Sequence, residues 1–223
     1  MKRFLRKFKR LLIKFFGSKI DEIFWRFRNI FDKNWPISYI TNDSLNHPHR
    51  IILIEKISDF YPFESVLELG CASGVNLFLL SKKFPKAKFY GIDISKKAIE
   101  IGKGFLKNQK VKNVFLKHGK IEDIKKFKEK SIDIIFTDAV LICLDHKRIE
   151  NIIREFIRVA KKAIILCEQN TNSESFYNDN WIHNYRKLFS KFIPEEKIKF
   201  TKISPKIWSG NWGKFGYIIE VKL

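Results

Sequence analysis

The sequence predicts an α/β fold: a doubly wound, mainly parallel seven-stranded sheet with an antiparallel carboxyl-terminal hairpin, preceded by a helical extension. Three observations predict it. Short β-branched or apolar runs alternate with helical stretches from Ser65 onward, the last two runs have no helix between them, and everything before about residue 60 carries helical periodicity alone. Length and composition allow such a fold, because 223 residues at 45% hydrophobic and 15% aromatic hold one α/β domain with a small appendage. A globally disordered chain is excluded.

The elements follow in order. Met1 to Lys19 contains eight Lys/Arg and no acid. Phe4, Leu5, Phe8, Leu11, Leu12, Phe15 and Phe16 gather on one helical face, with Lys2, Arg3, Arg6, Lys7, Arg10 and Lys14 opposite, and Gly17 ends the stripe. The apolar residues are interrupted too often for a transmembrane span or a secretory signal. Residues 1–18 therefore read as a basic amphipathic helix with three uses open: lying on an anionic membrane surface, packing on its own domain or a second subunit, or mitochondrial transit, the last opposed by the Lys-rich composition. The expected location is cytoplasmic, and peripheral at the inner membrane face in the first case.

Residues 19–60 read as a helical preface or lid. Ile23, Phe24, Phe27, Ile30 and Phe31 share a face from Ile20 to Phe31, and Asn34-Trp35-Pro36 breaks that helix. Ser38 to Asn46 is polar and turn-like. Helix resumes from about His49 to Phe60 and stops at Tyr61-Pro62.

Residues 61–223 form the main domain. Strands are expected around Val66 to Leu69, Lys88 to Ile92, Val114 to Leu116, Ile132 to Phe136 and Ala163 to Cys167, with helices near Asn76 to Phe84, Lys96 to Lys107 and Lys147 to Ala160. Lys197 to Ile203 and Phe215 to Leu223 make the hairpin, joined by the Pro205 to Gly213 loop. A sheet of this kind binds ligands at the carboxyl ends of its strands, beside the switch point.

Charge narrows the partners less than its size suggests. The net +20 points to nucleic acid, an anionic surface or acidic substrates, but most of the basic residues are dispersed lysines, which a solvated surface explains. Cys71, Cys143 and Cys167 are too scattered for a disulfide framework, and no Cys/His cluster offers a zinc site, so a reducing compartment is expected.

The main chemical signal is Glu68-Leu69-Gly70-Cys71-Ala72-Ser73-Gly74, placed after the first strand and before a helix. Gly70 and Gly74 permit a tight turn and close approach of backbone to a ligand. Glu68 stands where a carboxylate can receive amine or amide donors. Nineteen residues beyond Gly74, Asp93 ends the second strand, where a carboxylate can accept both hydroxyls of a ribose. A dinucleotide fingerprint would need glycine at 70, 72 and 75, but Ala72 and Val75 stand at the last two, and no Gly-Lys-Ser/Thr exists for a P-loop.

On these residues the sequence resembles the class I S-adenosylmethionine-dependent methyltransferases. Glu68-x-Gly70-x-x-x-Gly74 looks like their first motif and Gly91-Ile92-Asp93-Ile94-Ser95 like their ribose-binding strand end, over about Val66 to Glu168. Ala72 departs from the mid-loop glycine of most members. The resemblance implies a Rossmann-like fold and S-adenosylmethionine as cofactor. It implies cofactor contacts from Glu68, Gly70, Cys71, Ala72, Gly74, Asn76, Asp93 and Ile94. It also implies adenine contacts from Lys120, Ile121 and Glu122 or Asp123, with Lys120 standing where an acid is common, and Asp138 facing the methyl donor. Leu141 to Gln169 is similar to methylases of nonulosonic-sugar and surface-glycan pathways. Thr137-Asp138-Ala139-Val140 lacks the Asn/Asp-Pro-Pro-aromatic pattern of exocyclic-amine enzymes, and Cys143 follows Ile142 rather than the proline of a cytosine-C5 nucleophile.

The expected function is therefore methyl transfer from S-adenosylmethionine to a small-molecule or glycan-precursor acceptor by in-line displacement, with alignment supplying much of the catalysis. For a hydroxyl acceptor the candidate catalytic residues are Asp138, His146 and His183, with His47 and His49 as further proton acceptors. Each lone histidine also has a structural reading. His47, His49 and Arg50 open a helix expected to lie over the cofactor, where Arg50 can pair with the methionine carboxylate. Trp181, Tyr185, Trp208 and Trp212 suit stacking on a sugar or flat ring. No metal is expected, the minority reading being Mg²⁺ on Asp138, Glu168 and Asn170 for a catechol-like acceptor. Two alternatives stand beside this. An RNA methyltransferase is favoured by charge but lacks an appended RNA-binding module, and a non-catalytic nucleoside-binding or membrane-associated module is opposed by intact Glu68, Gly70, Gly74 and Asp93.

Overall fold

The computed structural model describes residues 12, 13 and 17–223. Four helices come first: α1 (Lys19–Phe31), α2 (Trp35–Ser38), α3 (Asn42–Leu45) and α4 (Pro48–Ser58). The main domain then runs β1 (Ser65–Leu69), α5 (Val75–Lys83), β2 (Lys88–Asp93), α6 (Lys96–Asn108), β3 (Val114–His118), β4 (Ile132–Asp138), α7 (His146–Val159) and β5 (Ala160–Gln169). A small hairpin of β6 (Ser175–Tyr177) and β7 (Asn180–Ile182) follows, then α8 (Tyr185–Phe189), β8 (Ile198–Lys202), α9 (Asn211–Phe215) and β9 (Gly216–Lys222).

The sheet has seven strands in the order β3-β2-β1-β4-β5-β9-β8. The first five are parallel, and β9 runs antiparallel to both β5 and β8. This is the expected architecture. Val66, Leu67 and Leu69 are all buried because helices cover both faces, as a parallel sheet requires. On one face Leu67, Leu69, Ile135 and Leu166 join Ile149, Ile153 and Phe156 of α7. On the other, Val66, Phe89, Ile134 and Phe136 join Leu53 and Ile57 of α4 and Leu77 of α5. Asp133 at the start of β4 accepts from the Glu64 and Ser65 N–H groups at 2.7 and 3.1 Å, which ties β1 to β4 at the end away from the ligand edge. The chain reverses its winding between β1 and β4, so a crevice opens at their carboxyl ends.

Three local expectations are corrected. The turn-like stretch before residue 47 contains α2 and α3, because Pro36 occupies a first-turn position where its missing N–H costs nothing and Trp35 is buried. The β6–β7 hairpin was not read from sequence; its turn residues Asn178 and Asp179 have φ of +48° and +68°, the left-handed geometry of a two-residue hairpin turn. The loop before the last strand holds α9 rather than continuous coil.

The apolar face of α1 does not enter the core. Ile23, Phe27 and Ile30 are 54%, 48% and 62% exposed, while Glu22 and Trp25 turn toward the crevice. Upstream, Gly17 has a φ of +61° and its N–H reaches the Ile13 carbonyl at 2.9 Å, the glycine turn that closes a helix. Ile13 and Ser18 are buried, and Ser18 donates through N and Oγ to Asp145 Oδ2 at 3.1 and 2.7 Å. The rest of the expected amphipathic helix over 1–18 lies outside the described residues. Among the described residues no helix is long and apolar enough to cross a membrane.

Candidate active site

A cleft with a cavity volume of about 130 Å³ lies at the carboxyl ends of β1, β2 and β4. Its floor is the loop from Gly70 to Gly74, which the sequence bends by placing residues 70, 72 and 74 at φ of +78°, +46° and +75°. Ala72 is the one non-glycine among them, and Asp93 holds it there: Asp93 Oδ2 accepts from the Ala72 N–H at 2.8 Å and Oδ1 from the Ser95 N–H at 2.7 Å. Burial raises the Asp93 carboxyl, and those two backbone donors oppose the rise. Each of its oxygens keeps a lone pair for a further donor. At Gly70 a Cβ would overlap the Val140 methyl groups, so this backbone stays bare beside the cleft.

The walls come from segments far apart in sequence. Gly70, Ala72, Asp93, Ile94, Lys120, Ile121, Glu122 and Asp138 all line the cleft, so eight of the expected cofactor residues converge there. Glu122 faces it and is gripped by Arg148, whereas Asp123 turns away to accept from the Lys120 N–H at 3.0 Å. The opposite wall was missed by the sequence reading. Trp25, Trp35 and Tyr39 form it as an edge-to-face series with centroids 5.7 Å apart, and Glu22 of α1 pairs with Lys120 and Arg148 across the opening. The only sequence sign was the density of aromatic residues between Trp25 and Tyr39.

Behind the cleft lies a buried polar network. Asp138, at the end of β4, lines the cleft and accepts at Oδ2 from His49 Nε2 at 3.2 Å, Arg50 Nη1 at 3.3 Å and Asn76 Nδ2 at 3.1 Å. Burial alone would raise its carboxyl; the His49 hydrogen bond and the charges beside it win and hold it well below the usual carboxylate range. Arg50 also donates to Asn76 Oδ1 at 2.6 Å, and Asn76 Nδ2 reaches Glu68 Oε1 at 2.7 Å. Burial pushes the Glu68 carboxyl up to about 8. Glu68, Cys71, Gly74 and Asn76 therefore stand behind the cleft wall rather than on it: Cys71 is buried against the Gly91 backbone and Gly74 begins α5.

The remaining expected residues fall into two groups. His47, His49, Arg50, Trp208 and Trp212 come together although some 160 residues separate the pairs. The His49 ring lies 4.2 Å from Trp208, which stacks on Trp212 at 4.1 Å with planes 9° apart. His146, His183, Trp181 and Tyr185 form a separate cluster outside the cleft lining. His183 is fully buried with Nε2 3.1 Å from the Leu141 carbonyl, and burial lowers it to about 4. Tyr185 is likewise fully buried in the core against Leu188 and Phe189. The expectation that His183 is catalytic and that Tyr185 touches substrate is corrected by this burial. Glu168 accepts at Oε1 from Thr137, Val140 N and Leu141 N at 2.8 to 3.0 Å, so it shapes the turn after β4, and no metal-holding cluster occurs among the described residues.

Comparison with known proteins agrees with this architecture. A family model described as a methyltransferase domain matches residues 63–219. An uncharacterized protein of Rickettsia prowazekii is 44% identical over 59 residues, covering 26% of this chain and 24% of that protein. The ribosomal RNA small subunit methyltransferase G of Chlorobaculum tepidum is 33% identical over 81 residues, covering 36% of this chain and 37% of that protein. The matched segments thus span about a quarter and somewhat over a third of these curated relatives. Among solved structures, magnesium protoporphyrin IX methyltransferase of Synechocystis PCC 6803 with bound S-adenosylmethionine superposes with a TM-score of 0.65 at 15% identity, covering 92% of this chain and 96% of that one.

Proposed function

The chain belongs to the methyltransferase-domain family, the class I S-adenosylmethionine-dependent enzymes, and from that premise we propose that it methylates a small-molecule or glycan-precursor acceptor by in-line displacement. One observation carries the assignment of the cleft: the bare Gly70 backbone, the twice-anchored Asp93 carboxylate and the acidic end of β4 border one opening. The cleft fits the cofactor in polarity, because Asp138 Oδ1 is buried at its edge and Glu68 Oε2 just behind it, both without a hydrogen-bond partner.

In this reading Asp93 accepts the ribose hydroxyls, and Lys120, Ile121 and Glu122 border the adenine. Trp25, Trp35 and Tyr39 exclude water from the other side, which strengthens every charge interaction inside. The Arg50, Asn76 and Asp138 network fixes the end of β4 where donor and acceptor meet. Bound there, S-adenosylmethionine supplies an electrophilic methyl on a sulfonium. The protein's contribution is largely alignment, which can account for several kcal/mol of the barrier. The acceptor side is assigned to the His47, His49, Trp208 and Trp212 cluster, where the tryptophans offer flat faces for a sugar or planar ring.

A second reading, methylation of RNA, is favoured by the likeness to the ribosomal RNA enzyme and by the net charge of +20. Incubation with methyl-labelled cofactor separates the two. Label is expected in small-molecule or glycan-precursor fractions, and label confined to RNA overturns the first reading. The exposed Ile23, Phe27 and Ile30 stripe, preceded by eight basic residues, supports a further assignment: reversible attachment to an anionic membrane surface.

A further inference from the structure

A groove with a cavity volume of about 1130 Å³ lies at the other end of the sheet from the cleft, where β1, β2, β4 and β5 begin. Lys83, Lys86, Lys88, Lys161 and Lys162 line it, against two acids, Glu64 and Asp133. Nothing in cofactor binding or methyl transfer at the carboxyl edge requires this face. We propose that the groove is a docking site for single-stranded nucleic acid, with the lysines on its phosphates and Tyr61 stacked on a base. The inference is independent of the acceptor. The five residues of β1 separate groove from cleft by about 16 Å, at about 3.3 Å per residue, so the nucleotides held here lie out of reach of the transferred methyl.

The positive charge of the groove is largely unspent. Asp133 is buried, its Oδ2 accepts from the Glu64 and Ser65 N–H groups, and its Oδ1 is 3.9 Å from Lys161, so it cancels little of the charge at the surface. Lys83, Lys86 and Lys88 are exposed and meet no carboxylate among the described residues. Lys162 Nζ donates to the Pro62 carbonyl at 2.5 Å, which fixes its ammonium beside the residue that follows Tyr61. Because β2, β1, β4 and β5 are consecutive in the sheet, the backbones at Lys88 and Lys161 stand three strand spacings apart, roughly 14 Å. Cations spread over that length suit an extended phosphodiester chain better than a single phosphate.

The aromatic residues select the kind of polyanion. Tyr61 lines the same groove and is 61% exposed. One face of its ring stacks on Phe84 at 5.3 Å with planes 18° apart, and Phe63 meets the two rings edge-on at 5.8 and 4.9 Å. The ring is therefore held in place from behind, and its other face is left to solvent. A fixed aromatic face beside a line of ammonium groups stacks a base while the backbone follows the charges, and it does so with little regard to sequence, because every base has a π-face. An acidic peptide would use the lysines and leave the ring idle. A duplex keeps its bases stacked on one another, and a bilayer is flat, so neither brings a base to Tyr61 inside a concave groove.

Fluorescence anisotropy of the full chain with a fluorescein-labelled uridine dodecamer tests the site. A Kd of about 10 μM at 0.1 M salt is expected, and no measurable binding by the parent chain overturns the proposal. Lys88→Gln combined with Lys161→Gln should weaken binding about tenfold and flatten the log–log salt slope by about 1.4, the share of two phosphate contacts on a single strand. Lys125→Gln combined with Lys187→Gln removes the same charge from exposed positions outside the groove and should leave the Kd within about twofold. Equal losses in the two double variants would mean attraction to the net charge of +20 and would overturn the groove. Tyr61→Ala should cost about tenfold and Tyr61→Phe almost nothing. An abasic dodecamer that binds the parent as tightly as the uridine one overturns the stacking, whatever Tyr61→Ala does to the fold. An oligoglutamate of equal charge should compete about tenfold more weakly than unlabelled dodecamer, and equal competition overturns the choice of nucleic acid. Calorimetry should find S-adenosylhomocysteine binding unchanged in the Lys88 and Lys161 variant; its loss together with that of the dodecamer would overturn a site separate from the cleft.

Discussion

Replacing Asp93 by alanine tests the cofactor assignment most sharply. Both carboxylate oxygens are already committed once, to the N–H groups of Ala72 and Ser95, and each has one lone pair left for a ribose hydroxyl. Hydrogen bonds to a charged group contribute about 1.5–3 kcal/mol each. Two such bonds give roughly 3–6 kcal/mol, reduced because water can enter the space and solvate the hydroxyls, so a net loss of about 2–4 kcal/mol is expected. That is a weakening of roughly 30- to 1000-fold in the Kd for S-adenosylmethionine and its demethylated product. The substitution also removes the anchor of the Ala72 turn, so the ligand must supply the control. A 2′,3′-dideoxy analogue of S-adenosylhomocysteine should bind the parent chain weakly and lose little more in Asp93→Ala. Calorimetry showing equal binding of the natural ligand by both proteins would refute the argument. So would an analogue that loses as much from the substitution as the natural ligand does.

Gly70→Ala should destabilise the fold by about 1–3 kcal/mol, since position 70 sits at a φ of +78° and a Cβ meets the Val140 methyls; Val140→Ala should recover part of the loss in a denaturant double-mutant cycle. Glu68 is raised by burial to about 8 from an ordinary value near 4.5, so the folded state holds a proton that the unfolded state releases between those pH values. Its contribution is full below about pH 4.5 and is lost as pH rises toward 8. Stability of Glu68→Gln should therefore fall less steeply over that window in urea titrations than that of the parent. Co-sedimentation with vesicles should require anionic lipid, weaken with salt, and disappear when residues 1–18 are deleted while cofactor binding survives; a deletion that unfolds the protein would mean that this segment is structural.

What the sequence determined by itself is the layered sheet and its ligand edge. Alternating periodicity is a local property, so apolar runs such as Val66 to Leu69 and Ile132 to Phe136 declare their strands without reference to anything distant. The Gly70 to Gly74 loop and Asp93 were legible for the same reason, because tight turns and strand ends constrain residue type locally. The β6–β7 hairpin left a short sign, Asn178-Asp179, too brief to read beside the apolar residues that follow. Tertiary structure alone decided which of the expected residues meet. His47 and Trp208 share one edge, whereas Trp181 and Tyr185, equally aromatic in sequence, are carried off with His146 and His183 to another cluster. The aromatic wall of Trp25, Trp35 and Tyr39 and the Glu22 contact to Lys120 and Arg148 are of the same kind. Contacts across such separations depend on how the preface folds back over the sheet, and side-chain chemistry at one position carries no record of the partner brought to it.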